Sequence, residues 1–430
     1  MADEKRIATF EWLYQNLLPY KKVANPPNDK KTVTRKRLTD NYHVDGATLT
    51  GYTDDRLVPR GKCIGRLILQ GFNGTVRKIL MQGTDKIIVG GEFTEYNGYP
   101  AKGLIRLNLD GSIDYSFDIG LGFYYNTGKG RVEDMLFQPD GKLLIIGSFD
   151  YFNGNIARDR VRLNSNMTID TSFITTNVDG LDGGILTCII LDQSNNVYIG
   201  GEFSRFIGQV SRNLVKLDQN GNVSKTFDLG ASGRVMSVVV TATSIYAAGS
   251  ISTLNGSGIS KIVKMKLDGT KDTTFSPPTI NGFINRIIVE DNNSVVMTGT
   301  FTTPANRFMK LQSNGNLDTS FTTGSGLDGT GFSITKTSNG RYLVVGSFQR
   351  YRGSYTPTIV MINNTGTHDT TFNIGTGLNG TGLCSYEQPD GKILIGGSFT
   401  DFNSNNSPDN IVRVNTNGTY DRWFNNLENN

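Results

Sequence analysis

Along most of the chain, apolar residues come in runs of four to six that end on a glycine and, two or three residues later, a phenylalanine. This mark recurs at Gly90–Phe93, Gly147–Phe149, Gly200–Phe203, Gly249–Ile251, Gly299–Phe301, Gly346–Phe348 and Gly396–Phe399, one copy carrying Ile for Phe. About two dozen residues after each comes Asp, two spacers and Phe: Asp114/Phe117, Asp170/Phe173, Asp272/Phe275, Asp318/Phe321, Asp369/Phe372 and Asp421/Phe424, with Phe227 in a copy where Ser224 replaces Asp. The Phe-to-Phe spacings are 56, 54, 48, 46, 51 and 52. Both marks count to seven, so the chain is read as seven repeats of about fifty residues before any domain count is drawn from its length.

Within a repeat, turns such as Gln138-Pro-Asp-Gly-Lys142 open onto the apolar run, which predicts a hairpin entering a buried strand. The segment before it, such as Arg131–Phe137, supplies the preceding strand. Alternating segments such as Leu104-Ile-Arg-Leu-Asn-Leu-Asp-Gly111 predict a half-buried strand leading into a type I′ turn. That makes three clear strands and a shorter fourth around the D-x-x-F. One such sheet cannot bury both faces, so neighbours must stack, and the expectation is an all-β, seven-bladed β-propeller rather than a solenoid. Gly65-Arg-Leu-Ile-Leu-Gln70 resembles the I-x-R-L strand and is expected to complete a blade begun at the C terminus, removing the exposed edges.

The kernel Gln388-Pro-Asp-Gly-Lys-Ile-Leu-Ile-Gly-Gly-Ser-Phe-Thr400, followed by Ile411-Val-Arg-Val-Asn and Asp421-x-x-Phe424, resembles the delta-60 repeat of propeller-like bacterial and phage proteins. The resemblance covers about 71–425. It implies architecture and little chemistry.

The first sixty residues differ. Ile7, Phe10, Leu13 and Leu17, with Trp12 among them, fall at helical spacing over 5–18 before Pro19, which predicts an amphipathic helix. Asn25-Pro-Pro-Asn28 and the basic run with Lys30, Lys31, Arg35, Lys36 and Arg37 follow, a composition that builds no core of its own. Residues 1–62 hold twelve Lys or Arg and eight Asp or Glu and so account for the whole formal net charge of +4. The division expected is an arm, 1–62, helical then extended, and a propeller, 63–430. The arm is read as docking into other subunits of a large assembly. Its basic run lacks interleaved aromatics and the remainder is neutral, so nucleic acid is not the expected partner.

Candidate chemistry is sparse. Cys63, Cys188 and Cys384 have no C-x-x-C spacing and read as small buried hydrophobes. His43 and His368 lack any ligand context and read as surface residues. Gly90-Gly-Glu-Phe93 and Gly200-Gly-Glu-Phe203 are variants of the structural mark rather than a nucleotide-cyclase signature. Asn108-x-Asp-Gly-x-x-Asp114 lacks the closing Glu of a calcium loop, so Asp114 is expected to accept backbone N–H bonds and Phe117 to plug the gap between blades. No catalytic, cofactor-binding or metal-ligating residue is assigned, and no enzyme activity is expected. Tyr96, Tyr99, Phe123, Tyr124, Tyr125, Tyr151, Phe206, Tyr351, Tyr355 and Phe402 stand near the repeat marks, where aromatics serve glycan or protein recognition or else cap blade edges.

No secretory leader or apolar stretch of membrane-spanning length is legible. The reading at this level is a non-enzymatic structural or interaction module anchored by its arm in a larger assembly. A phage virion or tail component assembled in the host cytoplasm is the first expectation. A bacterial surface propeller binding glycan or protein is second, and a propeller enzyme third.

Overall fold

The computed structural model describes residues 71–425, apart from 127, 174–180, 182–183 and 405–406. The expected helix over 5–18, the docking residues Ile7, Phe10, Trp12, Leu13, Leu17, Lys30, Lys31, Arg35, Lys36 and Arg37, the strand at 65–70, Cys63 and His43 all lie outside the described residues.

Among the described residues seven antiparallel blade sheets follow one another in chain order, with smaller sheets in the loops between their strands. In blade one the strands are Thr75–Gln82, Lys86–Glu92 and Leu104–Asn108, in that spatial order. The last blade repeats the plan with Thr381–Glu387, Ile393–Ser398 and Ile411–Val414. The fourth strand shrinks to a single bridge, such as Leu107↔Ile113 or Val414↔Tyr420, in six blades, and reaches strand length in blade three as Val223–Thr226. Middle strands such as Leu143–Ser148 are buried almost throughout, which is why they read as unbroken apolar runs: a neighbouring blade covers each face.

Each innermost strand packs on the next, and Thr381–Glu387 packs on Thr75–Gln82, closing the cycle. The same bulge recurs in all seven innermost strands, from Val76/Lys78 in blade one to Gly382/Cys384 in blade seven, with Val132/Asp134, Leu186/Cys188, Val235/Ser237, Ile284/Arg286 and Gly331/Ser333 between. Bulges raise local twist and redirect side chains, and here they place one residue per blade at equivalent positions around the ring. The glycine of the first mark answers a close approach: a Cβ on Gly396 would lie 2.4 Å from Cγ1 of Val76, and one on Gly200 2.6 Å from Cγ1 of Val235.

The core is seven clusters, one per seam, and the two sequence marks meet in each. The D-x-x-F phenylalanine of one blade packs with the Gly-x-Phe residue of the next: Phe117 with Phe149, Phe173 with Phe203, Phe227 with Ile251, Phe275 with Phe301, Phe321 with Phe348, and Phe372 with Phe399. Phe424 of the last blade packs with Phe93 of the first, alongside Phe72. At that seam the Phe72 N–H also donates to the Asp409 carbonyl at 3.0 Å, and the Asn410 side chain donates to the Phe72 carbonyl at 2.7 Å.

The aspartate of the second mark is structural. Asp114 accepts the Ser116 N–H at 3.0 Å and its hydroxyl at 2.7 Å, and pairs with Arg106 at 2.9 Å and Lys86 at 3.2 Å. Asp170 does the same with Ser172, Arg162 and Lys142. The guanidinium then lies over the phenylalanine of its own mark, 4.9 Å from the ring centre for Arg106 on Phe117 and 4.6 Å for Arg162 on Phe173. Burial alone would raise the Asp114 pKa, but the Ser116 hydrogen bonds and the two cations hold it down at about 2.

Candidate interaction surface

Loops between the second and third strands carry small hairpins: Glu95–Tyr96 with Tyr99–Pro100, Tyr151–Phe152 with Asn155–Ile156, Arg205–Phe206 with Gln209–Val210, Thr253–Leu254 with Ser257–Gly258, and Arg350–Tyr351 with Ser354–Tyr355. Their two-residue turns need positive φ at both positions, as at Asn97–Gly98 and Asn153–Gly154. Four of them clamp the segment arriving from the preceding blade: the Asn97 N–H donates to the Gly71 carbonyl, Asn153 to Gly122, Asn255 to Asp228 and Arg352 to Gly326, all at 2.8–2.9 Å, and Asn403 in the last blade donates to Gly377 in the same way.

Strand alternation sorts the expected recognition aromatics into two groups. Tyr96, Phe123, Phe206, Tyr351 and Phe402 are buried in seam cores and do not reach the surface, in line with the edge-capping alternative and not with recognition. The Tyr96 and Tyr351 hydroxyls donate to the Gly111 and Gly366 carbonyls, so even their polar ends are engaged. Tyr99 is half-buried, edge-on to Tyr115 at 5.4 Å. Tyr355 is exposed, with Arg350 5.9 Å from its ring centre. Tyr125 is exposed, and Tyr124 and Tyr151 come together.

That meeting point is specific to blade two, whose spacing of 56 is the longest. An added hairpin, Phe123–Tyr125 with Gly128–Lys129, pairs alongside Tyr151–Phe152 to make a four-stranded sheet. Register sets Ile156 opposite Tyr151, Tyr151 opposite Tyr124, and Tyr124 opposite Lys129, so the four side chains form one cross-strand row on one face. The other face carries Phe123 and Phe152, buried against Phe149 and each other at 4.6–4.7 Å. Tyr124 and Tyr151 stack at 5.0 Å with a 14° interplanar angle. Ile156 and Tyr125 are each 49% exposed, and Lys129 is exposed. Asp150 locks the insertion by accepting the Asn126 N–H at 3.0 Å and donating its own to the Tyr124 carbonyl at 3.0 Å. Among the described residues neither the Tyr124 nor the Tyr151 hydroxyl makes a hydrogen bond within the chain. Sequence reading missed Ile156 and Lys129, whose membership depends on register; the long spacing was the available signal.

Other candidates resolve simply. Cys188 and Cys384 are buried free thiols pushed up to about 12 by desolvation. His368 is half-buried, edge-on to Tyr351 at 6.4 Å, rather than on the surface, and burial lowers its pKa. Among the described residues no three His, Cys, Asp or Glu side chains converge as a metal site, and no helix is long and apolar enough to cross a membrane.

The ring of small antiparallel sheets and the paired seam residues define a β-propeller. The family model described as domain of unknown function (DUF5122) beta-propeller matches at residues 82–117, 138–173, 193–227, 244–275, 291–321, 337–372 and 388–424, more than half of the chain. The chain belongs to this family. No curated protein matches it. Among solved structures it is similar to the extracellular domain of a hybrid two-component system from B. thetaiotaomicron (13% identity, 76% of this chain and 38% of that one, TM-score 0.45), so it spans less than half the length of that relative. It is also similar to puromycin hydrolase (12% identity, 82% and 53%, TM-score 0.50) and to the WD40 propeller domain of Doa1 (11% identity, 80% and 93%, TM-score 0.43). At these identities the likeness concerns the fold alone.

Proposed function

We propose that this propeller is a non-enzymatic interaction module that recognises a glycan or protein on a host surface through the Ile156–Tyr151–Tyr124–Lys129 row of blade two. The observation that carries the reading is the stacked Tyr124–Tyr151 pair on a sheet face extended by exposed Ile156 and Lys129. Rigid tyrosines bring contact area and a hydroxyl at small entropic cost. The repeat's own carboxylates, such as Asp114 and Asp170, are engaged in ion pairs that hold the blades.

The same proposal has residues 1–62 dock, through Ile7, Phe10, Trp12, Leu13, Leu17 and the basic residues Lys30–Arg37, into other subunits of a virion or phage tail. The basic arm beside a neutral ring supports a division of labour between anchoring and recognition. The test is to screen the full chain and its Tyr124→Ala/Tyr151→Ala variant against immobilised glycans and surface proteins, with light scattering of chains with and without residues 1–62. Selective binding lost in the double variant supports the recognition role. Identical masses and complexes with and without residues 1–62 would remove the docking role.

A further inference from the structure

The seven bulges put Lys78, Asp134, Cys188, Ser237, Arg286, Ser333 and Cys384 at equivalent positions, paired respectively with Gly90, Ile146, Gly200, Ala248, Thr298, Val345 and Gly396 on the second strands. Neighbouring positions interact across the seams. Lys78 pairs with Asp134 at 2.6 Å. The Asp134 carboxylate accepts the Ile189 N–H of blade three at 3.1 Å, and the Ser237 hydroxyl accepts the Ile287 N–H of blade five at 3.2 Å. At these two seams a side chain at this level accepts the backbone N–H one residue beyond the same level in the next blade. Arg286, at the seam toward Ser333 and Ile334, is a cation and offers no acceptor.

The other cations on or beside the innermost strands are matched. Arg77 and Arg131 face Glu133, Lys78 faces Asp134, Arg234 faces Glu202, and Lys336 faces Glu290. Among the described residues Arg286 has neither an ion-pair nor a hydrogen-bond partner. Burial raises the Cys188 and Cys384 thiols, two blades away on either side, and the Arg286 charge works against that rise. With Lys78 and Asp134 cancelling, the level carries one uncompensated positive charge in surroundings where charges interact more strongly than in bulk water.

We propose that this level holds an oxyanion site, in which the Arg286 guanidinium receives a small free anion of the phosphate or sulfate kind. A guanidinium offers a planar fork matched to two oxygens of such an anion.

The experiment measures thermal unfolding of the full chain against inorganic phosphate, with sodium chloride at matched ionic strength as reference. Wild type is expected to show a saturable rise in midpoint on the order of 2–4 °C over chloride. Arg286→Met should unfold at the wild-type temperature in chloride and lose the rise; phosphate held by the basic residues 30–37 would persist in that variant and is thereby separated. If Arg286→Met fails to fold, Arg286→Lys keeps the charge and loses the fork, and it should weaken labelled-phosphate binding in equilibrium dialysis at least about tenfold. No phosphate-specific rise in wild type, or a rise or affinity unchanged in the variant that folds, overturns the site.

Discussion

Arg413 in the last blade donates a hydrogen bond to the backbone carbonyl of Leu109 in the first, across 304 residues of sequence. The same guanidinium pairs with Asp421 at 2.7 Å and lies 4.9 Å from the ring centre of Phe424. In blade two, Arg162 makes the same reach to the Gln219 carbonyl of blade three. The closing seam therefore uses the joint found within the ring.

Phe424→Ala is expected to destabilise the protein by about 3–5 kcal/mol, as for any fully buried phenylalanine. The loss should equal that of Phe173→Ala at an internal seam to within about 1 kcal/mol, since both plug a seam of one design. Urea unfolding followed by tryptophan fluorescence measures both; a much smaller loss at Phe424 would show a seam that is not closed.

The approach of Gly396 to Val76 predicts non-additivity. Gly396→Ala should cost about 1–3 kcal/mol by overpacking. In a Val76→Ala background the same change should cost less, because Cγ1 of Val76 is removed while Sγ of Cys384, 2.8 Å from the added Cβ, remains. A double-mutant cycle in urea measures the coupling.

The marks' carboxylates predict acid lability of a definite sign. Asp114 is held at about 2, and Asp170, Asp272, Asp369 and Asp421 are also lowered below the ordinary carboxylate value. A depressed folded-state pKa contributes stability above the unfolded value of about 3.9 that is lost as pH falls through the folded one. Unfolding midpoints should fall steeply between about pH 4 and 2, and Asp114→Asn should flatten that slope while being less stable at pH 7.

Burial of Cys188 and Cys384 predicts inert thiols. In a Cys63→Ser chain at pH 8, a disulfide reagent should find no reactive thiol until denaturant is added, then two. Rapid labelling of the native chain would contradict their placement.

The ring was legible because both marks record seam packing: Phe117 and Phe149 must meet wherever two blades stack, so seven copies of each read as seven seams. Ile251 still counted because it fills the same cluster with Phe227. The surface was less legible. Phe123 and Tyr124 are adjacent in sequence and lie on opposite faces of one sheet, and a one-residue change of register would exchange them. Tyr96 and Tyr351 look like recognition residues until their hydroxyls are seen to meet Gly111 and Gly366 inside the fold. Arg286 carries no sequence signal, since the bulge that positions it depends on pairing with Thr298.

The most direct measurement of the recognition claim is the affinity of the full chain for the strongest ligand of the screen, compared among wild type, Tyr124→Ala/Tyr151→Ala, and Tyr355→Ala as an exposed tyrosine on another blade. The account predicts a loss of at least about tenfold in the double variant, that is about 1.4 kcal/mol or more, with unchanged binding in Tyr355→Ala and native unfolding midpoints in both. Equal affinity in all three, or equal losses in both variants, would contradict it.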